Sequence, residues 1–408
     1  MPLLKNLGSG QEGNAVDATI EQRSINMGMN RATDVAIIGG GVIGCSIAYQ
    51  LSKARVQVSV IEREEIAAEA SSAAAGLLAP DMVLTGPKAV ADLFLASWSI
   101  TAEIIAEIEA VSGVQVEYFQ TGALHVLKDV DDQSSLRRFA EIWQVRGSDV
   151  KWLTGDQVYQ YEPLLHHTFD AALYLPEAAS IRPRLMTKAY AEAARKSGAG
   201  FYEHTEVTGL QQHSGRVVGI ETAQGQTIDC NRVVIATGAW TAHIGSWLGL
   251  TIPVFPARGQ ILSLRQPATP LQYTIIGNEI YMVPKIDNTI YVGATVEQVG
   301  FDKSNTAGGV AWLLSSAMQL VPELEHAAIA DIWSGLRPWS QDSYPILGKA
   351  PGWENVILAT GHGPGGFELS AITGKTIAEL ITSGQTPALI QPFGLERFTG
   401  KGHTFDLK

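Results

Sequence analysis

Residues 34–62 read DVAIIGGGVIGCSIAYQLSKARVQVSVIE, and the glycines at 39, 41 and 44 decide how the chain folds. DVAII is a short apolar run typical of a strand buried on both faces in a parallel sheet. Gly39-x-Gly41-x-x-Gly44 follows, then a helical run, CSIAYQLSKA, then a second apolar run, VQVSVIE, that closes at Glu62. Strand, glycine turn, helix and strand make one βαβ unit of about 30 residues.

In such a unit the first glycine permits the tight turn, the second lets backbone approach a pyrophosphate, and the third allows close helix–strand packing. The helix N-terminus adds free N–H groups and partial positive charge. Glu62, placed 18 residues after Gly44, can accept hydrogen bonds from a ribose diol. A glycine turn without a ligand leaves that acid unexplained, so the unit reads as a dinucleotide site.

The remainder of the chain bounds what surrounds it. At 408 residues it is long enough for two domains, and its 46% hydrophobic and 17% charged residues are those of an ordinary globular protein. The net charge of −12, without a Lys/Arg cluster, argues against a nucleic-acid partner. Cys45 and Cys230 are the two cysteines, which excludes a disulfide framework and fits a reducing, cytoplasmic setting. No apolar run approaches the ~20 residues of a membrane span, and no metal-ligand spacing stands out. His166 and His167 read as loop residues. Residues 1–32 lack apolar period and an apolar signal-peptide core, and are expected to be a flexible extension without chemistry.

The dinucleotide pattern does not end with the first unit. Helix 186–199 precedes the strand FYEHTEVTGL; RVVGIETAQGQTIDCNRVVIATG holds a strand pair and ends in a glycine turn at Ala236–Gly238. At the far end, NVILAT leads into GHGPGG (361–366) and the helical ITGKTIAELI. Between these pieces lie a helical stretch with a strand hairpin expected at 116–127, and the antiparallel-looking GQILSLR, EIYMVPK and TIYVGATVE with a helix after them. The expected fold is α/β: an FAD-binding Rossmann-like domain of the glutathione-reductase type, with an antiparallel-sheet α+β substrate domain, both discontinuous. The expected boundaries are 33–86, 151–240 and 331–390 for the first, 87–150 and 241–330 for the second, and a tail at 391–408. An acid at position 62 suits NAD or the adenosine half of FAD and disfavours NADP. The scattered pieces favour FAD, because an extended flavin cofactor needs a pyrophosphate turn and a distant second turn. Gly361–Gly366 then sets a helix N-terminus beside the ring, where negative charge appears on reduction.

Taken together, VAIIGGGVIG with VIER, SSAAAGLLAP, HTEV, VVIATGAW, YMVPK, YVGAT, SGLRPWSQDSYPILG and ATGHGPGGFELSAITG resemble the D-amino-acid-oxidase-type family of FAD amine oxidoreductases, and most of all the glycine oxidases of thiamine biosynthesis. The resemblance covers about residues 33–390. It implies FAD held by Gly39, Gly41, Val42, Ile43 and Gly44 at the pyrophosphate, with Glu62 and Arg63 facing the adenosine. Ala70, Ser71, Ala75, Gly76 and Leu77 would line the path to the flavin; Val207 would meet the adenine, and Gly238 and Trp240 the middle. His362, Gly363, Gly365, Gly366 and Phe367 would surround the ring. It further implies that Arg337 pairs with the substrate carboxylate, where a guanidinium fork matches two oxygens as a lysine cannot, and that Tyr281 belongs to the substrate pocket.

The implied reaction is oxidative deamination of glycine or another small or N-substituted amino acid, such as sarcosine or a D-amino acid. Hydride leaves Cα for flavin N5, and O2 reoxidises the flavin to give H2O2; no protein base is required, and orientation and electrostatics carry the rate. The segment after Arg337 has no cysteine, where sarcosine oxidases tether their flavin, so noncovalent FAD is expected. One departure stands out: glycine oxidases carry an arginine in the flavin turn where this chain has Pro364. Losing that cation leaves room for other small or N-substituted amino acids. A D-amino-acid or imino-acid dehydrogenase that passes electrons to a quinone or protein shares the fold and stays open as an alternative. The acidic balance counts against a role in RNA modification. Relatives of this kind imply a homo-oligomer.

Overall fold

A computed structural model describes residues 32–79, 86–127, 133–145 and 148–398. The expected extension lies outside the described residues except for Ala32, as do 399–408 of the expected tail. The first unit forms β1 (Ala32–Ile38), α1 (Val42–Lys53) and β2 (Val58–Ile61), followed by a short α2 (Ala70–Ala73) and β3 (Leu77–Leu78). A long helix α3 (Lys88–Ser112) leads to β4 (Phe119–Gln120), β5 (Ala123–Leu127), α4 (Gln133–Val145), β6 (Lys151–Thr154), α5 (Asp156–Tyr161), β7 (Ala171–Leu175) and β8 (Ala179–Ser180). Then come α6 (Pro183–Lys196), β9 (Gly200–Tyr202), β10 (Val207–His213), β11 (Arg216–Thr222), β12 (Thr227–Ile235) and α7 (Thr241–Trp247). The antiparallel run is β13 (Val254–Arg265), β14 (Thr274–Gly277), β15 (Ile280–Pro284) and β16 (Thr289–Gly293). The chain closes through α8 (Ala307–Leu320), β17 (Ile329–Ser340), β18 (Ile346–Lys349), β19 (Val356–Thr360) and α9 (Gly366–Ser383).

Two large sheets organise these elements. In the first, β1 lies between β2 and β12, all parallel, and β12 pairs parallel with β19 on its other edge. Ile38 is level with Ile61 and Ile235, and Ile235 with Leu358. The carboxyl ends of the parallel strands therefore open on one edge, where an open α/β sheet binds its ligand. The apolar side chains of β1 and β12 at this end are buried, as both faces of a parallel sheet demand. The second sheet runs β17-β13-β16-β15-β14-β5-β7-β6. Its pairs are antiparallel except β14 with β5.

Three expectations are corrected. The hairpin at 116–127 does not form: β4 pairs with β8, and β5 pairs with β7 and β14. Segment 151–175, expected in the nucleotide domain, supplies β6 and β7 to the second sheet, and β17 also lies there although 331–390 was expected in the first. Helix α3 packs the other way. It falls within the expected substrate domain, yet Val90, Leu93, Phe94, Ile104, Ile105 and Ile108 join the core formed with α1, α6 and α9. That helix is long and apolar enough by composition to cross a bilayer, but here its apolar face is the wall of the first domain's core.

Helices α1 and α9 cross where Gly374 faces Ser46, and Ser46 Oγ donates to the Ser370 carbonyl at 2.8 Å. A Cβ on Gly374 would come within 3.0 Å of the Ser46 backbone carbonyl. Exchanging glycine for alanine in a helix interior ordinarily gains about 1 kcal/mol, whereas forcing volume into a closed contact loses about 1–3 kcal/mol. Gly374→Ala should therefore lower the denaturation midpoint. Gly308→Ala in α8, where nothing lies within 4 Å of the new carbon, should leave it unchanged or raise it.

Candidate active site

At the end of β1 the backbone turns at Gly39 with φ +111°, and a Cβ there would meet the Ala236 carbonyl carbon at 2.9 Å. The turn tolerates no side chain because β12 ends directly against it. Gly41 caps α1 without offering a side chain; the Val42 N–H instead donates to Ser71 Oγ at 2.9 Å. The Glu62 carboxylate accepts from the N–H groups of Gly40 at 2.7 Å and Glu64 at 3.0 Å, which aims it along the mouth of the turn. Arg63 lies over the Trp240 ring, 3.9 Å from its centroid, and pairs with Glu69 at 2.9 Å.

Two cavities open from here. One, of about 480 Å³, is lined by Gly39, Gly41, Glu62, Arg63, Val207, Gly238 and Trp240 among others. The other, of about 270 Å³, is lined by Val42, Ala75, Gly76, Leu77, Tyr281, Arg337, Gly363, Gly366 and Phe367 among others. Both include Ala70 and Ser71, so they meet at α2. Of the residues expected at the cofactor, four line neither cavity. Ile43 packs half-buried on the core, and Gly44 sits tight against the Gly39 carbonyl. Gly365 backs onto Phe94, 2.8 Å from where its Cβ would lie. His362 is buried, its Nε2 within 3.1 Å of Thr373 Oγ1.

The second cavity is bounded by β13, β15 and β17 of the second sheet on one side and by α2, β3 and the start of α9 on the other. Arg337 on β17 stands beside Ala257 on β13, and its guanidinium lies over Gly259, with Cζ 2.5 Å from the place a Cβ would take. Nη1 donates to the Thr295 carbonyl at 3.0 Å. Among the described residues no carboxylate lies within ion-pair distance of Arg337, whereas Arg258 next to Gly259 is held by Glu297 at 2.6 Å and Asp302 at 2.7 Å. The phenol of Tyr281 faces this guanidinium. Burial pushes its pKa up while Arg337 pulls the other way, so it remains a protonated donor. Besides Arg337 and Tyr281, the remaining titratable side chain of the lining is Glu368, which accepts from the Ala79 N–H at 3.2 Å.

Gly259, the Thr295 carbonyl and Glu368 escaped the sequence reading. A glycine inside the strand GQILSLR was a usable signal, since it marks close approach of another group; the carbonyl and the acid had no local signature.

The geometry suits a long cofactor with a phosphate middle. Its first turn is one that side chains would fill, an acid stands at one end, and a second helix start, capped by Gly365, stands at the other. Comparison with known proteins decides the family: residues 34–380 match the model of the FAD dependent oxidoreductases. The chain belongs to this family. FAD is thus its cofactor. The chain is 35% identical to the glycine oxidase of Geobacillus kaustophilus over 91% of its own length and 99% of that protein's. The crystal structure of that enzyme superposes with a TM-score of 0.85, covering 90% of this chain and 99% of that one at 34% identity. The bifunctional protein ThiO/ThiG of Trichormus variabilis is also 35% identical over 91% of this chain, which spans 56% of that longer protein. Iminodiacetate oxidase from Chelativorans sp. BNC1 has a TM-score of 0.82 at 26% identity, covering 88% and 98% of the two chains.

His362 makes the turn sensitive to acid. Burial lowers its pKa from 6.5 to about 3, so it is neutral in the folded protein. Below about pH 6.5 the unfolded chain takes up a proton that the folded chain refuses, and stability falls by about 1.4 kcal/mol per pH unit from this group until pH nears 3. Between pH 7 and pH 5 the parent should lose about 2 kcal/mol more than His362→Gln in paired denaturant titrations.

Proposed function

We propose that the protein oxidises a small amino acid, glycine or an N-substituted relative of it, at the carbon beside the carboxylate. Arg337 carries this reading: a half-buried guanidinium lines the cavity without an acid partner among the described residues, and an unpaired charge at such a place is costly until an anion arrives. A carboxylate accepts two of its N–H groups, and the Tyr281 hydroxyl adds a donor from β15. We assign the pyrophosphate to the Gly39–Gly44 turn and the start of α1, the ribose to Glu62, and the adenine side to Arg63, Val207 and Trp240. The flavin ring falls to Ala70, Ser71, Ala75, Gly76 and Leu77 on one side and Gly363, Gly366 and Phe367 on the other. Bound there, FAD supplies a two-electron acceptor for the hydride on the substrate carbon.

The protein's own part is orientation. Arg337 and Tyr281 hold one end of the substrate, and the alanine and glycine lining leaves the reacting carbon unobstructed. Pro364 also lines this cavity. An apolar ring in place of a cation supports a substrate whose nitrogen bears a carbon substituent, in keeping with the relative that oxidises iminodiacetate.

Peroxide release should be measured with glycine, sarcosine, D-alanine, D-proline and longer N-alkylglycines. One or more should react in the parent, and Arg337→Ala should raise KM for it by about 10- to 100-fold while the protein stays yellow. Parental kinetics in that variant would remove Arg337 from the substrate site.

A further inference from the structure

Lys285 stands at the end of β15, is 5% exposed, and has no use in the scheme above. Side chains alternate along a strand, so Tyr281, Val283 and Lys285 share the face turned toward the first domain. The lysine Nζ donates to Ser180 Oγ at 2.8 Å and to the Ile181 carbonyl at 2.9 Å. Ser180 pairs with Leu77, and the Ile181 N–H donates to the Gly76 carbonyl at 2.9 Å. Gly76 and Leu77 are themselves part of the cavity lining. A single amine therefore ties the strand that carries Tyr281 to the opposite wall of the cavity.

We propose that Lys285 is a positioning residue for the reaction: through Ser180 and Ile181 it sets the distance between the Gly76–Leu77 wall and the Tyr281 strand. The proposal rests on the amino-acid reading of the cavity. Two acceptors meet an amine that burial and its neighbours bias toward the neutral form, in which it keeps two N–H groups. The groups around it agree: burial and the charge of Arg182 push its pKa well down, against the weaker pull of Asp287 and Glu117. Those two acids are engaged by Arg182, at 3.0 Å each. The Tyr291 ring, 4.9 Å from Nζ, completes the surroundings. A methionine would fill this space without the cost of burying a polar group, so what lysine adds is the pair of directed bonds across the sheet boundary.

The test uses Lys285→Met and Ser180→Ala in the FAD-loaded protein, with the best substrate of the peroxide panel. Misplacing the wall harms orientation more than carboxylate binding. Lys285→Met should thus keep its FAD and lower kcat by about tenfold or more, with KM within about threefold. Ser180→Ala should shift kcat in the same direction by less. In the FAD-free protein, hydrogen exchange at the Ile181 amide should speed up at least about tenfold in Lys285→Met. The proposal is overturned by kcat within about twofold of the parent in both variants, by a loss that only follows FAD content, or by unchanged exchange at Ile181. Should Lys285→Met not fold, Ser180→Ala decides by the same split. Should the parent oxidise no amino acid in the panel, the substrate reading fails, and the exchange rate still decides whether Lys285 holds the wall.

Discussion

Everything in this molecule depends on three distant strands zipping in parallel with their ends level. β1, β12 and β19 come from the beginning, middle and end of the chain, and their pairing puts Ile38, Ile235 and Leu358 side by side. Each strand then runs into a glycine turn. Because the register is set by buried branched side chains on both faces, a slip by one residue would point core residues the wrong way. The turns are therefore brought to one edge with the precision of the core, and the cavities they line inherit that precision.

The second sheet contributes charge where the first contributes backbone. Arg258 and Arg337 show how differently one sheet edge treats the same side chain. Arg258 is enclosed by two carboxylates and serves the fold. Arg337 is placed over a glycine, steadied by one carbonyl and left without an acid among the described residues. A half-buried charge without a counterion is costly until something else supplies its partner, and the proposed partner is a substrate carboxylate. Lys285 follows another rule. Burial and Arg182 push its pKa well down, and its two hydrogen bonds join the strand of Tyr281 to the small sheet of β3, β8 and β4 beside the cavity.

Much of the fold was legible where its cause is local. The strand–turn–helix pattern at 34–62 and the second glycine turn at 361–366 could be read directly, because a turn that tolerates no Cβ must be glycine wherever it occurs. Glu62 was legible from its spacing after Gly44. The errors fell where pairing is long-range. VEYFQTGALHVL alternates as a hairpin would, but β4 finds β8 and β5 finds β7 and β14. Helix α3 looked like part of an insertion because it follows one, while its apolar face belongs to the first core.

Sequence alone determined the chemistry of the cofactor: glycine spacing, an acid at the second strand's end and a second turn far along the chain. Each depends on φ, ψ and the bulk of a few neighbouring residues. Only the tertiary structure decided which arginine lines the cavity without an acid among the described residues, which glycine lies under its guanidinium, and which lysine bonds to the opposite wall. Those are properties of pairs separated by tens to hundreds of residues, and an unsatisfied charge or a shared hydrogen bond exists only once both members have been brought into the same buried space.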